Sequence, residues 1–151
     1  MKKSVMLNRK LSEVIASMGH TDRLIICDAG FPIPNDANVV DLAITMDIPD
    51  IETVLKIIEQ ELIAEQIYIA EDVITHNEPL YKSIEKIYKG VTIEGISHER
   101  ILNEEARNAK AIVRTGAYNP WGNIVIQSGV DVPKWFNKEG VVVPDYYKDQ
   151  M

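Results

Sequence analysis

GHTDRLIICDAGFPIPN, residues 19–35, sets a short apolar run between two polar turns. Leu24 to Cys27 reads as a buried strand. The turn before it holds His20, Thr21 and Asp22, and the turn after it opens on Asp28 and runs through Ala29 and Gly30 into Phe31–Asn35. Open α/β sheets place their ligands beside polar residues just past a buried strand. Histidine is the one residue type in the stretch that ordinarily titrates near neutral pH. His20 and Asp28 are therefore assigned to a site that works on a small polar molecule.

On either side, helical and strand patterns alternate. Asn8 caps a first helix with the apolar stripe Leu11, Val14, Ile15 and Met18, and Gly19 is placed to end it in a left-handed turn. Strand one covers Arg23 to Cys27, Pro32 and Pro34 stiffen the next loop, and Val39 to Ile44 forms a second strand. Asp50 caps a helix burying Ile51, Val54, Leu55, Ile58 and Leu62. Gln66 to Ala70 is a third strand, closed by Glu71 and Asp72. Asn77 caps a helix that accepts Pro79 in its first turn and buries Leu80, Ile84 and Ile87. Val91 to Ile96 is a strand, and Ser97 caps a helix from His98 to about Ala109 with Glu104 and Glu105 on its exposed side. Lys110 to Thr115 and Asn123 to Ser128 complete the strands. The alternation predicts a single α/β domain, a mostly parallel sheet covered by helices. Residues 131–151 form a C-terminal extension of different character, whose Trp135, Phe136, Tyr146 and Tyr147 predict docking rather than free disorder.

Composition narrows the function. The chain has 151 residues, 46% hydrophobic and 26% charged, with a net charge of -7. An acidic protein lacks the basic face that nucleic acid or an anionic membrane requires. One cysteine, Cys27, precludes an internal disulfide and reads as a small buried hydrophobe. No apolar run is long enough for a membrane span. The start, MKKSVMLNRK, lacks the apolar centre of a signal peptide, so the cytoplasm is expected.

No cofactor fingerprint is present: DAGFP is not GxGxxG, and there is no phosphate loop and no paired-cysteine or HExxH metal spacing. Asp22, Asp28 and His20 beside turns are more simply turn formers than metal ligands. His76, in THNEP, reads as surface. His98, directly after the Ser97 cap, taken alone reads as an exposed first-turn residue. A neutral ring there also suits hydrogen bonding to hydroxyls. Asn119-Pro120-Trp121-Gly122-Asn123 has the form of a tight turn with Pro in second place. Functionally, Trp121 offers an apolar face to sugar C–H groups, and Asn123 offers both a donor and an acceptor. His20 and Asp28 flank one strand, roughly 20 Å or more apart. If both act on one small ligand, the site is shared between copies of the chain, which predicts a homo-oligomer.

GHTD followed by DAG-x-P-I-P-N, SHER around His98 and AIVRTG…NPWGNIVIQSGV resemble the RbsD/FucU sugar mutarotase family, its ribose branch above all, from Met1 to Val130. The resemblance implies an isomerase that interconverts cyclic forms of a free monosaccharide, D-ribose first, without cofactor or metal. It also implies ring-shaped oligomers, typically decamers of two pentamers, with sites near subunit interfaces. By the same resemblance His20 is the proton-transferring histidine, and Asp28, His98, Trp121, Gly122 and Asn123 bind the sugar. Three positions depart from the pattern. Trp121 replaces a tyrosine, Gly122 is closer to the fucose branch, and Ala117 stands where a glutamate is common. Two further readings accompany these departures: a mutarotase for L-fucose or another monosaccharide, and a sugar-binding regulatory module without turnover.

Overall fold

The apolar run at the centre of residues 19–35 becomes β1 (Arg23–Cys27), in a computed structural model that describes all 151 residues. Leu24, Ile25, Ile26 and Cys27 are completely shielded from solvent. A strand covered on both faces needs no polar alternation, which is why this run is continuous. β1 pairs in parallel with β5 (Ala111–Arg114) and antiparallel with β6 (Ile124–Ser128). With β2 (Val39–Asp41), β3 (Ala64–Ala70) and β4 (Thr92–Ile96), the sheet order is β2-β5-β1-β6-β3-β4. Five strands share one direction, and β6 alone runs against its neighbours β1 and β3.

Capping residues start the helices where side-chain oxygens can meet their first free N–H groups. Asn8 accepts from Leu11 N–H to open α1 (Arg9–Ser17), and Asp50 accepts from Thr53 N–H to open α2 (Ile51–Glu59). Glu71 and Asp72 do not merely close β3; they begin α3 (Glu71–His76), so this short helix was missed. Asn77 caps α4 (Glu78–Ile87), with Pro79 in its first turn. Ser97 opens α5 (His98–Arg100), which runs into a π-helical turn (Ile101–Glu105) and then α6 (Ala106–Asn108). The tail forms α7 (Val132–Phe136) and a 3-10 helix (Asp145–Gln150).

Two local expectations are corrected. Gly19 does not take a left-handed conformation; α1 ends at Met18 in an extended conformation, and Thr21 has the positive φ, 69°. Glu105 is fully buried rather than exposed. It is the last residue of the π turn, and it pairs with Arg23 and, at 3.0 Å, with Arg100. Two guanidinium groups offset the desolvation that would otherwise keep a carboxylate at the surface.

This topology determines where polar residues gather. At one edge the five like-directed strands end and β6 begins, so Asp28, Arg114, His98 and Asn123 are carried to the same side. At the other edge β1 and β3 begin and β6 ends, bringing His20, Glu65 and Ser128 together.

Candidate functional site

At the first edge Asn123 is the organising side chain, 2% exposed at the start of β6. Buried amides in proteins are almost always hydrogen-bonded. Its Oδ1 accepts the Asp28 backbone N–H at 3.2 Å, and its Nδ2 stands 3.4 Å from His98 Nε2. With the amide oxygen committed to Asp28, the Asn123 N–H is the donor and His98 Nε2 the acceptor. The structure thus brings Asp28, His98 and Asn123 into one cluster.

The Asp28 carboxylate accepts Gly30 N–H at 2.8 Å. Burial pushes the carboxyl above the usual aspartate range, and hydrogen bonds from Gly30 and Asn123 oppose that shift. The loop is held from outside as well. Ala29 N–H donates to Ala117 O at 3.0 Å, and Arg114 donates to Ala29 O through Nε (3.2 Å) and Nη2 (3.1 Å). Thr115 Oγ1 donates to Cys27 O at 2.8 Å and accepts Ala117 N–H at 3.1 Å. Beside Asp28 lies an open cleft of about 530 Å³, lined also by Gly30, Arg114, Tyr118 and Asn119. That volume suits a small polar ligand. Arg114 and Tyr118 escaped sequence reasoning, because the loop Thr115–Tyr118 after a strand shows nothing of what it faces.

Asn119–Gly122 forms the expected turn, with Gly122 N–H donating to Asn119 O at 2.9 Å and Trp121 at φ 54°. A positive φ at the third residue of the turn, directly after Pro120, is the type II arrangement, unusual for a tryptophan. Asn77 Nδ2 clamps the turn by donating to Asn119 Oδ1 at 2.7 Å and Pro120 O at 2.8 Å. A Cβ on Gly122 would come within 2.8 Å of Asn119 O, so the absence of a side chain there has a steric cause. The Trp121 ring lies 5.7 Å from the His76 ring and does not line the cleft. His76 itself is exposed, as expected.

At the opposite edge, His20 Nε2 is 3.0 Å from Glu65 Oε2, and Gln127 Nε2 donates to the same oxygen at 3.5 Å. Tyr68 Oη in turn donates to Gln127 Oε1 at 3.3 Å. A carboxylate on one ring nitrogen fixes the orientation of the imidazole and leaves the other nitrogen free for chemistry. Glu65 was not foreseen. It sits at a register irregularity between Ala64 and Gln66, which no residue pattern announces. The turn is anchored on both sides of His20. Asp22 Oδ2 accepts Gly19 N–H at 2.8 Å and Lys110 Nζ at 2.6 Å, and Thr21 N–H donates to Ser128 O at 2.8 Å. Lys110 and the Gly19 amide hold the Asp22 carboxyl below its usual range. A β-branched residue at positive φ costs on the order of 1–3 kcal/mol, and such strain gathers where geometry serves function. Trp135 from α7 completes the surroundings, its ring 6.4 Å from the His20 ring at 77°.

His20 and Asp28 do not meet within one protomer; β1 holds them at opposite edges of the sheet. Cys27 is buried, and burial pushes its thiol up to about 12, so it is inert. No group of three or more His, Cys, Asp or Glu side chains is arranged to hold a metal ion. No helix is long and apolar enough to cross a membrane.

Comparison with known proteins shows what the chain as a whole is similar to. The sequence profile of the RbsD / FucU transport protein family matches residues 1–131. D-ribose pyranase 2 of Rubrobacter xylanophilus is 55% identical over 150 residues, covering 99% of this chain and 97% of the relative. The solved structure of Bacillus subtilis RbsD complexed with D-ribose superposes with a TM-score of 0.82 at 32% identity, over 86% of this chain and 98% of that one. The fucose mutarotase of Streptococcus pneumoniae, solved with L-fucose, shares the fold at a TM-score of 0.74 and 21% identity, over 86% of this chain and 99% of that one.

Proposed function

The chain belongs to the RbsD/FucU family, and we propose that it is a D-ribose pyranase, an isomerase that interconverts the pyranose and furanose forms and the anomers of free D-ribose without a cofactor. The observation that supports this most directly is the Asp28–Asn123–His98 cluster beside an open polar cleft. It offers a carboxylate, an amide and an imidazole to hydroxyl groups and has no phosphate cradle.

The chemistry is proton transfer. A base takes the proton of the anomeric hydroxyl, the bond from C1 to the ring oxygen breaks, and that oxygen receives a proton, leaving the open aldehyde. Attack by a different hydroxyl on C1 closes the other ring size; attack on the opposite carbonyl face closes the other anomer. His20 carries the proton, and Glu65 supports that role by orienting the ring. Asp28, His98 and Asn123 hold hydroxyls, and Gly122 keeps the turn tight enough to present them; Trp121, packed by His76 outside the cleft of one protomer, offers its apolar ring only to a sugar that reaches beyond that cleft. One positioned acid/base group is worth about 10²–10⁴-fold. That suffices for sugars that already interconvert slowly in water.

Because His20 and Asp28 lie at opposite ends of β1, the working site joins His20 of one copy to Asp28 of another. The protein therefore acts as a homo-oligomer, a decamer on the family pattern. An apolar groove of about 450 Å³ between the amino-terminal segment and α2, lined by Val5, Leu7, Ile44, Ile48 and Ile57, supports self-association.

NMR saturation transfer between the ring forms of D-ribose tests the proposal. Catalysed exchange is expected with D-ribose and slower exchange with L-fucose. His20→Ala should lower the catalysed rate by about 10²–10⁴-fold with the oligomer intact. Exchange at the buffer rate in the presence of bound ribose would make the protein a binding module instead. Faster exchange with L-fucose would move the assignment to that sugar.

A further inference from the structure

We propose that the C-terminal segment, residues 131–151, builds part of the sugar site, with Trp135 standing beside His20 as an apolar wall against which the sugar ring rests. The inference rests on the ribose reading above. It concerns residues beyond the family profile, which stops at residue 131.

The path of the chain brings Trp135 beside His20. β6 ends at Ser128, whose carbonyl accepts Thr21 N–H, so the tail leaves the sheet beside the His20 turn. Gly129 N–H donates to Ile63 O at 2.8 Å, next to the strand that carries Glu65. Val132 is then buried, 2% exposed, and pins the start of α7 to the body. Asp131 caps that helix by accepting Lys134 N–H at 3.1 Å. Trp135, three residues past the anchor, is delivered to the imidazole. The remainder of the tail folds back on α7 through Phe136 and Tyr147 (5.6 Å), and Tyr146 lies against Tyr147 within the 3-10 helix (4.8 Å).

The chemistry of the corner explains what it would take. The two rings meet nearly at right angles, so an imidazole and an indole form its adjoining walls. Glu65 occupies one imidazole nitrogen. Trp135 keeps 53% of its surface open, which is more than a packing role requires. A cyclic pentose matches such a corner: its hydroxyl edge addresses the imidazole while its C–H groups lie against the indole. A wall of this kind selects by ring shape and also limits water at the proton-transfer atom.

The test uses the full-length protein labelled with 5-fluorotryptophan, which carries two indoles, Trp121 and Trp135. The resonance lost in Trp135→Phe identifies Trp135, and adding D-ribose should shift it. Trp135→Ala should raise the half-saturating ribose concentration by roughly two- to tenfold, the size of one aromatic contact. The maximal exchange rate should fall less, and Trp135→Phe should recover most of the loss. Wild-type exchange with a Trp135 resonance that ignores ribose, and a Trp135→Ala variant with unchanged kinetics, would overturn this proposal and leave the ribose reading standing. No catalysed exchange and no ribose-dependent shift at any indole in the wild type would overturn both.

Discussion

Asn123 Oδ1 accepts the backbone N–H of Asp28 at 3.2 Å, joining the first residue beyond β1 to the residue just before β6. The bond exists because β6 runs against β1, so that the start of one strand abuts the end of the other. Asn123→Ala removes that acceptor and strands a partly buried N–H. Chemical denaturation should show a loss of about 1–3 kcal/mol. Ribose binding should weaken at the same time, because the Asp28 loop and His98 lose their common partner. An alanine variant as stable as the wild type would show that the loop is held by Arg114 and Ala117 alone.

The Asp28 carboxyl lies above the usual aspartate range because burial disfavours its charge. A raised acid is favoured in the folded state while protonated, and it costs stability once pH climbs past its folded value. Asp28→Asn retains an oxygen to accept Gly30 N–H and carries no charge. The variant should therefore melt higher than the wild type at neutral pH, with the gain vanishing below about pH 4, where unfolded aspartates are protonated too. It should also bind ribose poorly. A melting temperature below that of the wild type at pH 7 would contradict the burial argument.

Glu65 holds His20 through a 3.0 Å contact. Glu65→Gln keeps an acceptor oxygen but loses the charge, and Glu65→Leu loses both. Exchange rates should fall in that order, by about 10-fold and about 100-fold, the scale on which hydrogen-bonded positioning affects acid/base catalysis. Because Glu65 reaches the sugar only through His20, ribose affinity should change little. Equal rates in all three proteins would leave the imidazole orientation to Trp135 and the turn itself.

Gly122→Ala places a methyl group 2.8 Å from Asn119 O, a backbone atom that cannot swing away. The turn clamped by Asn77 must shift, at a cost of about 1–3 kcal/mol. Thermal melting should register this, and ribose binding should fall with it through the displaced Asn123. An unperturbed variant would mean that the turn is softer than its hydrogen bonds imply.

Most strands were legible because their apolar runs are bounded by caps and turns; Arg23–Cys27 agrees to the residue, whereas β2 stops at Asp41 rather than at the expected Ile44. The reversal of β6 was not, since no strand's residues state its direction. Glu105 misled for a related reason. A regular helix would have carried it outward with Glu104, and the π turn ends with it inside, facing Arg23 and Arg100. At the site, His20, Asp28, His98 and Asn123 stood out through their motifs, and their division between the two ends of β1 followed from strand length. Glu65 and Arg114 did not stand out, because a bulge in β3 and a neighbouring loop determine what they touch. The tail's aromatics announced docking; only the exit of β6 beside the His20 turn reveals Trp135's neighbour.

In the shared site proposed above, the separation of His20 from Asp28 makes each protomer a donor to one neighbour and a recipient from another. Two inactive variants, His20→Ala and Asp28→Ala, should consequently complement when unfolded together and reassembled. Random mixing would leave roughly a quarter of the junctions with both native side chains. Activity that revives in the mixture from two dead parents is a behaviour that self-sufficient subunits cannot produce.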